Sequence, residues 1–273
     1  MERESKLIAG GFDGVLREIT ADVSDELYFV NPDGDGIEEL VRVATEMDDP
    51  PRVRLLADKR TLKSVVDDFI VASNAADLVD AGALELRTGD LEHQNTVLVA
   101  GDRVAALVSA GGSVGGLVTD DAEFVADASD EYEARWGDAE AFNLRTPPIS
   151  QVRQTLSEEI SPEAEQDFEN ILSSLETARG DGDGLDEVTI SLLVAAKNEA
   201  LLYDVSKWGE DVGIASKATF SRTKTKLEDM GLIDTEKVPI DVGRPRLRLK
   251  IGDDRLKNAD NGQLATIAQS LLN

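Results

Sequence analysis

Apolar runs alternate with amphipathic stretches through the first third of the chain. "ELYFV" (residues 26–30) has the run length and β-branched or aromatic content of a strand, and "NPDGDG" closes it as a turn. "IEELVRVATEM" then sets Ile37, Leu40, Val41 and Ala44 on one helical face. "RVRLLA" (52–57) reads as a second strand, residues 62–82 as one helical stretch stopped by Gly82, and "LELRT" (84–88) as a third strand. Strand, helix, strand, helix, strand predicts parallel pairing with helices laid over the sheet. The period then shortens. "NTVLVAG", "RVAALVSA" and "SVGGLVT" follow one another with only "GD" and "GGS" between them, which predicts hairpins. A helix over 120–136 follows, with Phe124, Ala128 and Trp136 as packing residues. Residues 1–145 are thus expected to form an α/β (α+β) domain with a mixed sheet, suited to a regulatory or sensor role.

The prolines of "AFNLRTPPIS" interrupt the pattern. Residues 146–180 read as connecting helices: one over 150–160, and one opened by Ser161 as N-cap with Pro162 in the first turn. The second carries Phe168, Ile171, Leu172 and Leu175 at helical spacing. These helices are the candidates for a dimer interface. "RGDGDG" ends the segment as a joint.

Residues 181–273 read differently. "DEVTISLLVAAKNEA" is a helix with Val188, Leu192, Leu193 and Ala196 inward, and "LLYDVSKWGEDV" a shorter one with Val205 and Trp208 inward. "GIAS" is a tight turn in which Gly213 can take positive φ and Ser216 can cap a third helix over 217–230, stopped by Gly231. Two strands, "LIDTEKVPI" and "RLRLKI", are joined by "DVGRP", and residues 256–272 close as one helix. Three helices followed by a two-stranded hairpin predict a winged helix-turn-helix domain.

Charge sharpens this picture. The 273 residues carry a formal net charge of -27, with the acids spread along the chain. From 214 to 251, however, nine basic residues face five acidic ones. A basic island in so acidic a chain points to a polyanionic partner. In such folds the third helix enters the major groove of DNA. At 100° per residue, Phe220, Thr223, Leu227 and Met230 fall on the core side. Lys217, Ala218, Ser221, Arg222 and Thr225 fall outside. With Ser216, Thr219, Lys224 and Lys226 they make up the helix's candidate DNA contacts. Serine and threonine can donate to phosphates, arginine can read guanine in bidentate fashion, and an alanine can touch a thymine methyl. On the wing, Pro245 stiffens the turn between Arg244 and Arg246, which suits phosphates or a narrow minor groove. Arg248 shares a strand face with Lys250. A solvated basic face, or a winged helix serving as a protein-interaction adaptor, is the alternative reading.

Other chemistry is sparse. Cysteine is absent, so disulfides and thiolate metal sites are excluded, and no apolar run approaches the length of a membrane span. The N-terminus lacks the pattern of a signal peptide, and the expected location is the cytoplasm. Eleven lysines against seventeen arginines, with a dispersed acidic surface, fit a salt-rich cytoplasm and a halophilic archaeal source. The one histidine, His93, stands in polar "GDLEHQN" and has no partner for a catalytic dyad. "GGSVGG" lacks the Lys-Ser/Thr ending of a nucleotide loop. "NPDGDGIEELVR" matches a calcium loop until position 12, where Arg42 replaces the bidentate glutamate, and "RGDGDGLDEVTI" fails at both ends. No enzyme activity, cofactor or metal is expected.

The run from "LYDVSKWGEDVGIASKATFSRTKTKLE" through "EKVPIDVGRPR" resembles the TbsP-type transcriptional regulators of haloarchaea, and the likeness extends over the whole chain. The resemblance implies a sequence-specific regulator of metabolic genes that responds to carbon source, with an N-terminal domain joined to a C-terminal winged helix. Double-stranded DNA is then the partner, and a homodimer is expected because one winged helix covers little site length. The stretch from "NTVLVAGDRVAALV" to "YEARW" resembles the effector domains of archaeal sugar-responsive regulators, which implies a small-metabolite effector.

Overall fold

The structure is a computed structural model that describes residues 6–10, 12–20, 26–91, 95–110, 113–175, 177–179, 185–240, 245–257, 259 and 261–272. The chain divides into two compact units: Met1–Val66 with Asn74–Leu144, and Asp67–Ser73 with Arg145–Asn273.

The first unit is built on one eight-stranded sheet. In chain order the strands are β1 (Lys6–Gly10), β2 (Glu26–Val30), β3 (Arg52–Ala57), β4 (Leu84–Thr88), β5 (Thr96–Ala100), β6 (Arg103–Ala110), β7 (Ser113–Thr119) and β8 (Glu140–Ala141). They lie in the order β1-β7-β6-β5-β2-β3-β4-β8. The helices are α1 (Phe12–Thr20), α2 (Gly34–Thr45), α3 (Lys59–Val66), α4 (Phe69–Asp80), whose residues up to Ser73 belong to the second unit, and α5 (Ala122–Asp138). β2, β3 and β4 pair in parallel, as helical crossovers require, and β5, β6 and β7 form an antiparallel meander. Gly101 at φ 58° makes the two-residue turn between β5 and β6. The tip between β6 and β7, at residues 111–112, lies outside the described residues.

Strand alternation divides the core between the two sheet faces. Leu27, Phe29, Leu55 and Leu98 are fully buried on one face. On the other, Val30, Leu56 and Leu91 pack with Trp136 of α5. Each such side chain contributes about 1.5–3 kcal/mol by leaving water.

Three local features differ from the sequence reading. The sequence reading passes over β1 and α1, although Phe12, Val15, Leu16 and Ile19 stand at helical spacing in α1; β1 completes the sheet edge against β7. Residues 62–82 are two helices, because Asp68 ends one and caps the next, accepting from the Ile70 amide at 2.9 Å. Phe124 is 54% exposed; the inward stripe of α5 is instead Val125, Ala128, Tyr132 and Trp136. Asp33, the first acid of the calcium-like run, is spent as the N-cap of α2, accepting from the Gly36 amide. At the carboxyl ends of β3 and β4 lies an open cleft of about 600 Å³, lined by Asp58, Lys59, Thr88, Asp90 and Arg135 among others. His93 lies outside the described residues.

The second unit is helical around one core. Its elements are α6 (Ile149–Glu159), α7 (Pro162–Ser173), α8 (Glu187–Lys197), α9 (Leu202–Val212), α10 (Lys217–Asp229), β9 (Ile233–Val238), β10 (Arg246–Ile251), α11 (Asp254–Lys257) and α12 (Asn261–Leu272). α8 is the hub, with Val188 through Ala196 all buried. An apolar surface on every side is what a helix enclosed by neighbours needs. Phe168 of α7, Trp208 of α9, Phe220 and Leu227 of α10 and Leu249 of β10 share its core, which Leu264 of α12 extends beside α7. Residues of 146–180 therefore share a core with the helices that follow them. The buried Trp208 indole donates to Thr155 Oγ1 at 2.9 Å, which satisfies its one polar atom. Asp68, 1% exposed, accepts from the Ala178 amide and from Arg179 Nε, both at 3.3 Å, and so ties the first turn of α4 to residues 178–179. In place of the one closing helix expected over 256–272, the described residues form two, α11 and α12.

Candidate nucleic-acid interface

Local sequence sets the angle between α9 and α10. Gly213 ends α9 at φ 94°, a conformation side chains with a Cβ avoid. Three residues later the Ser216 hydroxyl accepts from the Thr219 amide and opens α10. Gly209 lets the two helices meet closely: a Cβ there would stand 2.3 Å from ring carbons of the buried Phe220. Phe220 and Leu227 fix the inner face of α10.

The opposite face is open. Ser216, Lys217, Ala218, Ser221, Arg222, Thr225 and Lys226 are all exposed. Thr219 is half-buried; its hydroxyl lies 3.0 Å from that of Ser216 and accepts from Arg222 Nη2 at 3.4 Å. Two residues depart from the helix wheel. Met230 is 39% exposed rather than core, since α10 has ended and Leu232 takes the buried place. The Lys224 side chain is only 11% exposed and turns away from the outer face to Glu228, 2.5 Å away. Thr235 of β9 donates to the other oxygen of that carboxylate at 2.6 Å. Burial pushes the Glu228 carboxyl up, but these two bonds outweigh it and hold it below its ordinary value. Glu228, held by Lys224, thus ties β9 of the wing to α10.

β9 and β10 form the antiparallel wing, with Arg246 opposite Val238 and Ile251 opposite Ile233. A bridge between Leu201 and Arg248, with the Leu249 amide donating to Ala200 O, fastens the wing to the start of α9. The Arg246 guanidinium stacks over the Tyr203 ring at 4.2 Å and meets Asp204 at 3.1 Å. Arg248 is half-buried, opposite Glu236, which pairs with Lys250 at 2.7 Å. Arg244 lies outside the described residues.

Sequence reasoning missed the ring of side chains that α9 places beside this face: Tyr203, Asp204 and Glu210. Glu210 meets Lys217 Nζ at 2.7 Å and accepts from the Lys217 amide at 3.2 Å. That contact holds the Glu210 carboxyl below its ordinary value and raises the Lys217 ammonium. No spacing signal in "LLYDVSKWGEDV" marks these three, since their partners lie on other elements.

Two family profiles match the chain end to end. One, "Transcriptional regulator TbsP-like, N-terminal", covers residues 4–147. The other, "Transcriptional regulator TbsP-like, C-terminal HTH domain", covers residues 148–269. The chain belongs to the TbsP-like transcriptional regulators. The α/β unit with its mixed sheet corresponds to the N-terminal family region, and the helical unit with its wing to the helix-turn-helix region. As a member of this family the protein is a DNA-binding transcriptional regulator.

A search among curated proteins found no match. Among solved structures, this chain is similar to TrmBL2, an archaeal chromatin protein whose structure shows a novel mode of DNA binding. That similarity has 18% identity and a TM-score of 0.37, and covers 52% of this chain and 55% of that one. It is also similar to Nuc from Salmonella typhimurium, a phospholipase D family member (11% identity, TM-score 0.38, 52% of this chain and 99% of that one). A further likeness is to NucT from Helicobacter pylori (13%, 0.37, 52% and 100%). At scores this low the likenesses carry no functional weight. Among the described residues no helix is long and apolar enough to cross a membrane.

Proposed function

We propose that this regulator reads the major groove of double-stranded DNA with α10, steadies itself on the backbone or minor groove with its wing, and controls metabolic genes according to carbon source. The observation that carries the reading is the outer face of α10. Lys217, Ala218, Ser221, Arg222 and Thr225 are exposed together, and the helix has no acid before Glu228. Arg222 is the residue assigned to a base edge, Lys217 and the hydroxyls to phosphates, and Arg244 and Arg246 to the wing contact. Two copies would act together, since paired half-sites lengthen the site read. Sensing falls to the first unit. Its cleft at the carboxyl ends of β3 and β4 is where sheets of this kind commonly take small ligands, and it offers carboxylates, two cations and a hydroxyl. The acid-rich surface fits a salt-rich, haloarchaeal cytoplasm.

Chromatin immunoprecipitation at native salt, on two carbon sources, tests this. Wild type should give sharp promoter peaks whose occupancy changes with carbon source. Arg222→Ala with Arg244→Ala should abolish them, since loss of one bidentate base contact alone costs about 1–3 kcal/mol. Peaks that survive the double substitution would return the winged helix to an adaptor role.

A further inference from the structure

The cations beside the outer face of α10 fall into two groups. Lys217 is held by Glu210 at 2.7 Å, and Arg246 by Asp204 at 3.1 Å. Both carboxylates stand on α9 next to the surface assigned to DNA. Arg222 and Lys226, among the described residues, make no ion pair, and Arg222 touches only the Thr219 hydroxyl. We infer that Glu210 and Asp204 act as tethered counterions, so that binding of DNA by this surface keeps solution cations at the interface instead of releasing them. The inference rests on the DNA-reading role of α10.

The argument is one of charge conservation. A lysine or arginine that neutralises a DNA phosphate ordinarily releases about 0.9 of a condensed cation, and this release makes binding fall with salt. Lys217 arrives with Glu210 attached, and Arg246 with Asp204. When each cation turns to a phosphate, its carboxylate remains a few ångströms from the DNA. The pair adds no net positive charge, so a cation must stay to offset the freed carboxylate. At low salt that carboxylate also repels the phosphates across a long Debye length; at high salt the repulsion is screened. The two pairs therefore contribute little to the salt slope, while Arg222 and Lys226 contribute normally. In a chain of net charge -27 this device would let the protein hold DNA where ordinary charge-driven binding has faded.

The test uses the full chain and a duplex that the protein itself selects from a random-sequence pool, with affinity followed over a series of potassium chloride concentrations. Glu210→Gln and Asp204→Asn should each tighten binding most at the lowest salt. Each should also steepen the slope of log affinity against log salt by about one, with the double variant steeper by about two. Glu169→Gln, which removes the same charge from α7 while Arg153 keeps its pair with Glu165, should leave the slope where wild type has it. Circular dichroism melts of each variant exclude misfolding as the cause. Slopes equal in wild type, Glu210→Gln and Asp204→Asn would overturn the inference while leaving DNA reading intact. If wild type selects no duplex at any salt, the DNA-reading role itself fails.

Discussion

Gly209 and Phe220 meet where α9 crosses α10, and no single-residue pattern announces the contact. The glycine looks like a flaw in a helix, because glycine costs about 1 kcal/mol relative to alanine there. The structure reverses that expectation: a methyl group would overlap a ring that is 0% exposed and cannot swing aside. Gly209→Ala should lower stability by about 1–3 kcal/mol through overpacking and should weaken DNA binding by tilting α10. Denaturant melts check the first effect, and an unchanged midpoint would contradict it. Glu187, in the first turn of α8, gives a prediction in pH. Burial, above all, raises its carboxyl above the ordinary value. The folded chain then binds that proton more tightly than the unfolded chain. Stability from this group is accordingly greatest below the unfolded value of about 4.3 and declines as pH rises through the folded one. Glu187→Gln should raise the melting temperature at neutral pH and leave it unchanged in acid. An equal effect at both would exclude a titration origin.

At the scale of elements, the sequence was informative where one residue type has one local use. Ser161, Ser216 and Gly213 mark helix ends, and each does so in the structure. β3 and β4 have the bounds their β-branched and leucine runs predict. Reading failed where a boundary depends on partners far away. Asp68 divides one long apolar-periodic stretch into α3 and α4, and its oxygens are held from residues 178 and 179. β1 is five residues that gain meaning only by pairing with β7. The helix wheel placed Lys217, Ala218, Ser221, Arg222 and Thr225 on the open side of α10, but it could not see the carboxylate that draws Lys224 to Glu228 or the end of the helix that exposes Met230.

At the scale of the whole molecule, charge and symmetry give the remaining expectation. A net charge of -27 opposes compaction and self-association at low ionic strength, and salt screens both. The protein should sediment as a dimer at high potassium chloride and shift toward monomer as salt falls. Monomer at every salt would refute the paired half-site arrangement.

The sequence by itself determined the parallel centre and antiparallel flank of the sheet, the winged helix-turn-helix and the basic island, because periodicity, caps and net charge are local or additive properties of the chain. Tertiary structure alone decided which of that island's cations, among the described residues, already hold a carboxylate and which do not. Lys217 meets Glu210 across the α9–α10 turn, and Arg246 meets Tyr203 and Asp204 from more than forty residues away. Such contacts depend on where folding brings separate elements together, and no spacing along the chain records them.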